Sequence, residues 1–383
     1  MNRNCLKIRL YPTRTQSREL EETLETCRLV YNSLVNDRKF QHETAQVSVG
    51  RYDQQAYLPV WKKSHAELGN VYSQVLQDVV HRVDLAFQAF FDRVKKGETP
   101  GFPRVKGAGQ YDSITYTQKA SFKVGASSIH IAKIGQVKAR MHRKPWGEVK
   151  NCTLRRIGNH KNGKWFASLC QAIEPELLPP SEEAVGIDVG LKSFAALSNG
   201  EFIENPHFFR RDEKALAKAQ RKLSKQKRGS RELKFCNAER RKARKVVSRI
   251  HERIRNRRHD FCHQNARRIV NRFGVIAVEK LSVKNMLGNH YLAKSIADAS
   301  WSQFRSILTS KAESAGREIL AVNPAYMSQD CSGCGYRPDG LEGRTKKKLS
   351  DRWHLCPMCG LSVDRDTNAA VNILALGQQS IAP

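Results

Sequence analysis

No stretch of this 383-residue chain approaches about 18 uninterrupted apolar residues, which excludes a membrane-spanning helix. The N-terminal Met1-Asn2-Arg3-Asn4-Cys5-Leu6-Lys7 also lacks the apolar core of a secretory leader, so a soluble, cytoplasmic protein is expected. Acids are scarce: 37 Asp+Glu face 67 Lys+Arg, a formal net charge of +30. Such an excess repels itself in a compact state unless a polyanion neutralises it. Nucleic acid fits better than acidic lipid, because no basic amphipathic helix is flanked by an apolar anchor. Paired cysteines are few as well. Cys5, Cys27, Cys152, Cys170, Cys236 and Cys262 are scattered singly and read, in a reducing compartment, as small buried apolar residues.

The length suggests two main domains. Residues 6–12 alternate apolar and polar side chains like a short strand ending at Pro12. Residues 15–46 and about 72–96 carry apolar positions at helical spacing, among them Val75, Val79, Val83, Phe87 and Phe91. From Ile114 to Cys170 short alternating runs separated by turns predict a β module, expected to form a barrel with a helical insertion over about 14–100. The proline-rich stretch Pro175 to Pro180 reads as an extended linker, dividing a domain 1–180 from a domain 181–383.

In the second domain two buried apolar runs each carry a carboxylate at or near their end. One is Ala184-Val185-Gly186-Ile187-Asp188, followed by a Gly turn and an antiparallel partner strand; the other is Val275-Ile276-Ala277-Val278-Glu279. A buried, unpaired acid is costly, so each calls for a cation or for nearby backbone amides in a turn. A third acid group, Asp364-Arg365-Asp366-Thr367-Asn368, opens a helix whose Ala369 and Ala370 permit close packing on a sheet. Two acids on strands and one at a helix start suit a two-metal phosphodiesterase, with hard oxygen ligands for two Mg²⁺ ions.

Cys331-x₂-Cys334 and, 21 residues later, Cys356-x₂-Cys359 are each followed by glycine. This spacing points to one structural, tetrahedral Zn²⁺ in an insertion of about 327–363, with His354 as a further candidate ligand and a redox pair as the alternative. Between the first two acids, residues 210–268 hold 23 Lys/Arg against 6 Asp/Glu on a helical pattern broken at Gly229-Ser230. Two basic helices lining a nucleic-acid groove are expected there, with a coiled-coil surface as the alternative; the candidate phosphate contacts are Lys222, Lys225, Arg228, Arg241 and Arg244.

The segments Gly186-Ile187-Asp188-Val189-Gly190, Val278-Glu279-Lys280-Leu281 and Asp364-Arg365-Asp366-Thr367-Asn368-Ala369-Ala370 resemble the RuvC motifs of the TnpB family, encoded by insertion sequences and related to type V CRISPR effectors. The resemblance extends through Leu10-Tyr11-Pro12, Arg28-Leu29-Val30-Tyr31-Asn32, Gly101-Phe102-Pro103-Arg104, Ser295-Ile296-Ala297-Asp298-Ala299-Ser300-Trp301 and Ser328-Gln329-Asp330-Cys331. It implies an α/β, RNase H-like RuvC nuclease domain with a zinc-ribbon insertion, and Asp188, Glu279 and Asp366 as catalytic acids, Asp364 being the rival for the third. It further implies a transposon-end guide RNA, a double-stranded DNA target cut beside a short flanking motif, and a monomer on RNA in a bacterial cytoplasm. The family's flank-reading helix matches Ser73, Gln74, Gln77 and Arg82, with Tyr52 before it and Arg104 in the Gly101–Arg104 motif; glutamine reads adenine through paired bonds. A guided binder that represses without cutting would be favoured by a lost acid, and a transposition protein joining strands itself by a nucleophilic Tyr or Ser beside an arginine cluster.

Overall fold

The computed structural model describes residues 2–158, 163–173, 177–226, 238–323, 325–337 and 351–381. It divides the chain into two units, Met1–Glu174 and Pro175–Pro383.

The first unit runs β1 (Asn2–Tyr11), α1 (Arg14–Ala45), α2 (Arg51–Ser64), α3 (Ala66–Gly69), α4 (Ser73–Lys95), β2 (Ser113–Tyr116), β3 (Phe122–Val124), β4 (Ser128–Ile131), β5 (Gly135–Arg140), β6 (Glu148–Ile157) and β7 (Lys164–Ile173). The strands form one antiparallel sheet in the order β2-β6-β7-β1-β5-β4-β3. Its edges β2 and β3 do not pair among the described residues, so hydrogen bonding does not close the expected barrel. On β1, Leu6, Ile8 and Leu10 are buried in one core with Leu20, Leu24 and Leu34 of α1 and Val75, Val79 and Val83 of α4, as alternation on a strand and a 3.6-residue repeat on a helix require. Pro12 ends the strand, and Thr13 starts α1 with a reciprocal cap: its hydroxyl accepts from the Gln16 N–H while the Gln16 side chain accepts from the Thr13 N–H. Phe91 departs from the expected α4 core face and is 52% exposed.

The cysteine expectation needs correction. The β1–β7 register sets Cys5 opposite Cys170, with Cα atoms 4.2 Å apart, and the two form a disulfide. Spacing could not reveal this pairing, because 165 residues separate its members. Cys27, Cys152 and Cys262 are buried free thiols, as expected; Cys236 lies outside the described residues.

The second unit runs β8 (Ala184–Val189), β9 (Ser193–Leu197), β10 (Phe202–Glu204), α5 (Phe208–Ser224), α6 (Ala238–Arg272), β11 (Val275–Glu279), α7 (Val283–Met286), α8 (Ala293–Ala299), α9 (Trp301–Ala315), β12 (Glu318–Val322), β13 (Trp353–Leu355), β14 (Ser362–Asp364) and α10 (Arg365–Gln379). Its five-stranded sheet has the order β10-β9-β8-β11-β12, antiparallel on the β9 side and parallel through β8, β11 and β12. Val185, Ile187, Ile276 and Val278 pack with Ala266 and Ile269 of α6 and Phe304 and Leu308 of α9. Ala277, Leu320 and Val322 pack with Ile373 of α10. A Cβ on Gly186 would lie 2.0 Å from the Ala370 carbonyl oxygen, so only glycine lets the helix backbone come this close to β8. Residues 177–180 are not a free linker: the Leu178 N–H donates to the Ala315 carbonyl, and Arg317 donates to the Pro179 carbonyl at 2.8 Å.

Candidate active site and metal centre

The phase of the sheet brings the acids together. Gly186 and Ala277 face α10, and side chains on a strand return to the same face every second residue, so Asp188 and Glu279 face α10 as well. Val278 of β11 lies opposite Ile187 of β8, which sets Glu279 beside Asp188 one row further, at the carboxyl ends of two parallel strands. The third acid enters with the helix. The Asp364 side chain caps α10, accepting from the N–H groups of Asp366 at 2.8 Å and Thr367 at 3.3 Å. That employment leaves Asp366, in the first turn, as the acid of the pair whose carboxylate is not tied to the helix start. One Asp366 oxygen lies 3.9 Å from where a Gly190 Cβ would stand, against the turn that follows Asp188.

The electrostatics record the same gathering. Burial pushes the Asp188 carboxyl well above the usual carboxylate range, Glu279 and Asp366 add repulsion, and the Arg365 guanidinium opposes them. Burial alone raises Glu279 to about 7. These are acids in an environment that penalises their charge, the setting in which a cation is the natural partner. Arg365 escaped the sequence reading although it stands between two acids that drew attention.

The four cysteines form a second centre. Their sulfurs all lie within 4.8 Å of one another, and among the described residues no other three or more His, Cys, Asp or Glu side chains are so close. His354 is buried on β13 but is not in the group. The two knuckles repeat one geometry: Cys331 N–H donates to the Tyr336 carbonyl and Gly335 N–H to the Cys331 carbonyl, just as Cys356 N–H donates to Leu361 and Gly360 N–H to Cys356. Gly335 and Gly360 both have φ of 73°, the left-handed turn that favours glycine. At Cys356 desolvation disfavours the thiolate, but the N–H groups of Cys359 and Met358 and the neighbouring thiols outweigh it and pull the pKa down to about 6. At Cys334 the Tyr336 backbone favours the thiolate, yet desolvation and the other sulfurs win and push it up to about 12. Four sulfurs this close cannot all ionise without a cation, and four thiolates are the donor set of structural Zn²⁺. Arg344 to Lys348 of this insertion lie outside the described residues.

The two centres share a helix. The buried Asn368 accepts from the Ser332 N–H and donates to the Asp330 carbonyl at 2.7 Å; Asn372 donates to the carbonyls of Met327 and Asp330. Asn368 stood inside a quoted motif, but nothing in the sequence said what its side chain would hold.

The remaining candidates are spread. Tyr52 on α2 is 80% exposed, Ser73 accepts from Lys62 at the start of α4, Gln77 is exposed and Gln74 half-buried on the same helix. Arg82 is spent inside the unit, bonding Ser113, Thr115 and Asp78. Arg104 is exposed, as are Lys222 and Lys225 at the end of α5 and Arg241 and Arg244 on α6; Arg228 and the Gly229-Ser230 break lie outside the described residues. Part of the basic excess is neutralised internally: Arg253 and Arg257 pair with Asp212, and Arg258 with the buried Asp298.

A family model described as "Probable transposase" (OrfB_IS605) matches residues 168–290, one described as "Cas12f1-like, TNB domain" matches 301–373, and a "Helix-turn-helix domain" model matches 1–46, which here form β1 and the single long helix α1. The "Putative RNA-guided DNA endonuclease" of Streptomyces pristinaespiralis is 36% identical over 380 residues, covering 98% of this chain and 89% of that protein. The chain belongs to the TnpB family. A further relative in it, "Putative RNA-guided DNA endonuclease InsQ" of Escherichia coli K12, is 31% identical over 99% of this chain and 93% of its own length. The TnpB chain also shares its fold with the protein of the "Cas12f1-sgRNA-target DNA complex", at a TM-score of 0.57 and 16% identity over 94% of this chain and 83% of that one. Among the described residues no helix is long and apolar enough to cross a membrane.

Proposed function

We propose that this protein is an RNA-guided DNA endonuclease whose second unit is an RNase H-like RuvC domain, hydrolysing phosphodiesters at Asp188, Glu279 and Asp366. The observation that carries the proposal is the shared facing of Asp188 and Glu279 toward the helix that begins with Asp366, in surroundings that raise the pKa of the first two. The family supports it, since both full-length relatives are named as RNA-guided DNA endonucleases. The donor set fits Mg²⁺: three carboxylates of hard oxygen, lying wider than the tight cluster that one small ion would draw together. When bound, a pair of Mg²⁺ ions would polarise the scissile phosphate, acidify the attacking water and stabilise the leaving oxygen. Asp188 and Glu279 would hold such ions from a rigid sheet, and Asp366 from a helix start fixed by Asp364. Arg365 offsets part of the repulsion among these acids. Cys331, Cys334, Cys356 and Cys359 would hold one structural Zn²⁺.

Base pairing with a transposon-end guide would select the target, while exposed Lys222, Lys225, Arg241 and Arg244 bind phosphate and Tyr52, Ser73, Gln74, Gln77 and Arg104 approach the flanking motif. The test is to purify the chain, sequence the RNA that accompanies it, and offer Mg²⁺ and a double-stranded target matching that RNA beside a randomised flank. Cleavage confined to targets next to one short flank is expected. Intact DNA across the whole flank library would overturn the proposal.

A further inference from the structure

The first unit contains a cavity of about 410 Å³ between α1 and α4, within the size range of small-ligand sites. Phe87, Phe90, Phe91 and Phe102 line it. Phe90 meets Phe91 with centroids 5.2 Å apart and planes at 67°, and meets Phe102 at 5.5 Å and 74°; Phe87 meets Phe102 at 88°. Rings set this steeply to one another form the walls of a box, not a flat stack. Two of them are far from buried, Phe91 at 52% and Phe102 at 45% exposed, an arrangement that leaves apolar surface in water unless something covers it.

The box is also held open. Asn32 accepts from the Lys106 N–H and donates to the Lys106 carbonyl, and Arg28 donates to that same carbonyl, so the segment carrying Phe102 is pinned to α1. Arg38 lies 5.0 Å from the centre of the Phe87 ring, fixed by Gln54 and Asp84.

The charge around the opening decides what fits. An aromatic box alone suits a cation. Here Arg38, Lys39 and His42 line the same cavity against the single acid Glu43, on a chain of net charge +30, and these repel one. A flat ring that carries its own negative charge satisfies both features, and the cavity's Ser48 adds a hydroxyl for its edge. We propose that this box binds one unstacked nucleobase of a single-stranded nucleic acid, its ring against Phe91 and Phe102 and its phosphate at Lys39 and His42. The inference rests on the reading that the protein works on nucleic acid, and adds a stacking site separate from the carboxylate centre and from the expected flank-reading residues.

The test uses the full chain and a short oligouridine carrying one 5-iodouridine, which cross-links under light to a stacked aromatic side chain. Cross-links to Phe91 or Phe102 are expected. Phe91→Leu with Phe102→Leu should lose them and weaken oligouridine binding about tenfold at an unchanged melting temperature, whereas Phe91→Tyr with Phe102→Tyr should retain both. Cross-links confined to other residues, or full affinity in the leucine variant, would overturn the proposal. So would a wild-type dimer that the leucine variant dissolves, because a second copy would then cover the box. A wild-type chain that cuts no DNA but cross-links at Phe91 sinks the endonuclease proposal alone; one that cuts DNA without cross-linking there sinks only this one.

Discussion

The four thiols come from two knuckles of nearly identical geometry and lie within 4.8 Å of one another. The three carboxylates come from two strands and a helix, and stand apart from so tight a cluster. Both are gatherings of like charge, yet the first is complete as a tetrahedral shell while the second is spread out, with raised pKa values at Asp188 and Glu279. The difference teaches what each is for. A closed shell of four protein ligands leaves no position for a substrate and contributes folding energy; an open, oxygen-rich one leaves positions for water and phosphate.

Removing one ligand at a time breaks the comparison most sharply. Asp188→Ala, Glu279→Ala and Asp366→Ala should each lower DNA cleavage by roughly a thousandfold or more while guide and target binding persist, because affinity comes from dispersed Lys and Arg. Near wild-type cutting by any of them would remove that residue from the metal-binding set; for the third acid Asp364 would replace it.

The cysteine centre should respond in the opposite sense, through stability. Elemental analysis should find about one Zn²⁺ per chain, and Cys331→Ser with Cys356→Ser should abolish it and lower the melting temperature. Unchanged zinc in that variant would dispose of the site.

A smaller effect separates the acids by pH. Glu279 has a folded pKa raised to about 7, so in metal-free protein its neutral form contributes stability below the ordinary value of 4.5, and that contribution is lost as pH rises through about 7. Glu279→Gln should therefore match the wild type at pH 4 and exceed it by up to about 3 kcal/mol at pH 8 in chelator, with Mg²⁺ narrowing the gap. Denaturant titrations showing equal stability at pH 8 would contradict the buried-acid picture. The smallest effect lies outside both centres: Lys222→Ala should weaken nucleic-acid binding a few-fold and reduce the log–log salt slope by about one, without altering zinc content or the cleavage step.

Much of this was legible in the sequence for a physical reason. Alternation in β1 and the 3.6-residue repeat of α1 are local, and so are the two Cys-x₂-Cys-Gly knuckles, whose spacing alone marks the ligands. The acids were nameable as interruptions of apolar runs, but their common facing depends on the register between β8 and β11, which only the folded sheet supplies. Long-range pairings were invisible for the same reason. Cys5 and Cys170 meet across a strand pair, and the stretch Leu177 to Pro180, which reads as a linker by composition, is tied down by Ala315 and Arg317. Phe91 kept perfect helical phase with Phe87 yet lies beyond the reach of the core, since periodicity gives a direction and not what stands there.

The asparagines of α10 set a rule for recombination. Because Asn368 and Asn372 grip the backbone of Met327, Asp330 and Ser332, the cysteine ribbon and the helix that presents Asp366 are inherited as one piece. A chimera that takes a relative's ribbon but keeps this helix joins two surfaces that were never selected together, and crossovers placed before Met327 and after Asn372 should yield far more active hybrids than crossovers at the cysteines themselves.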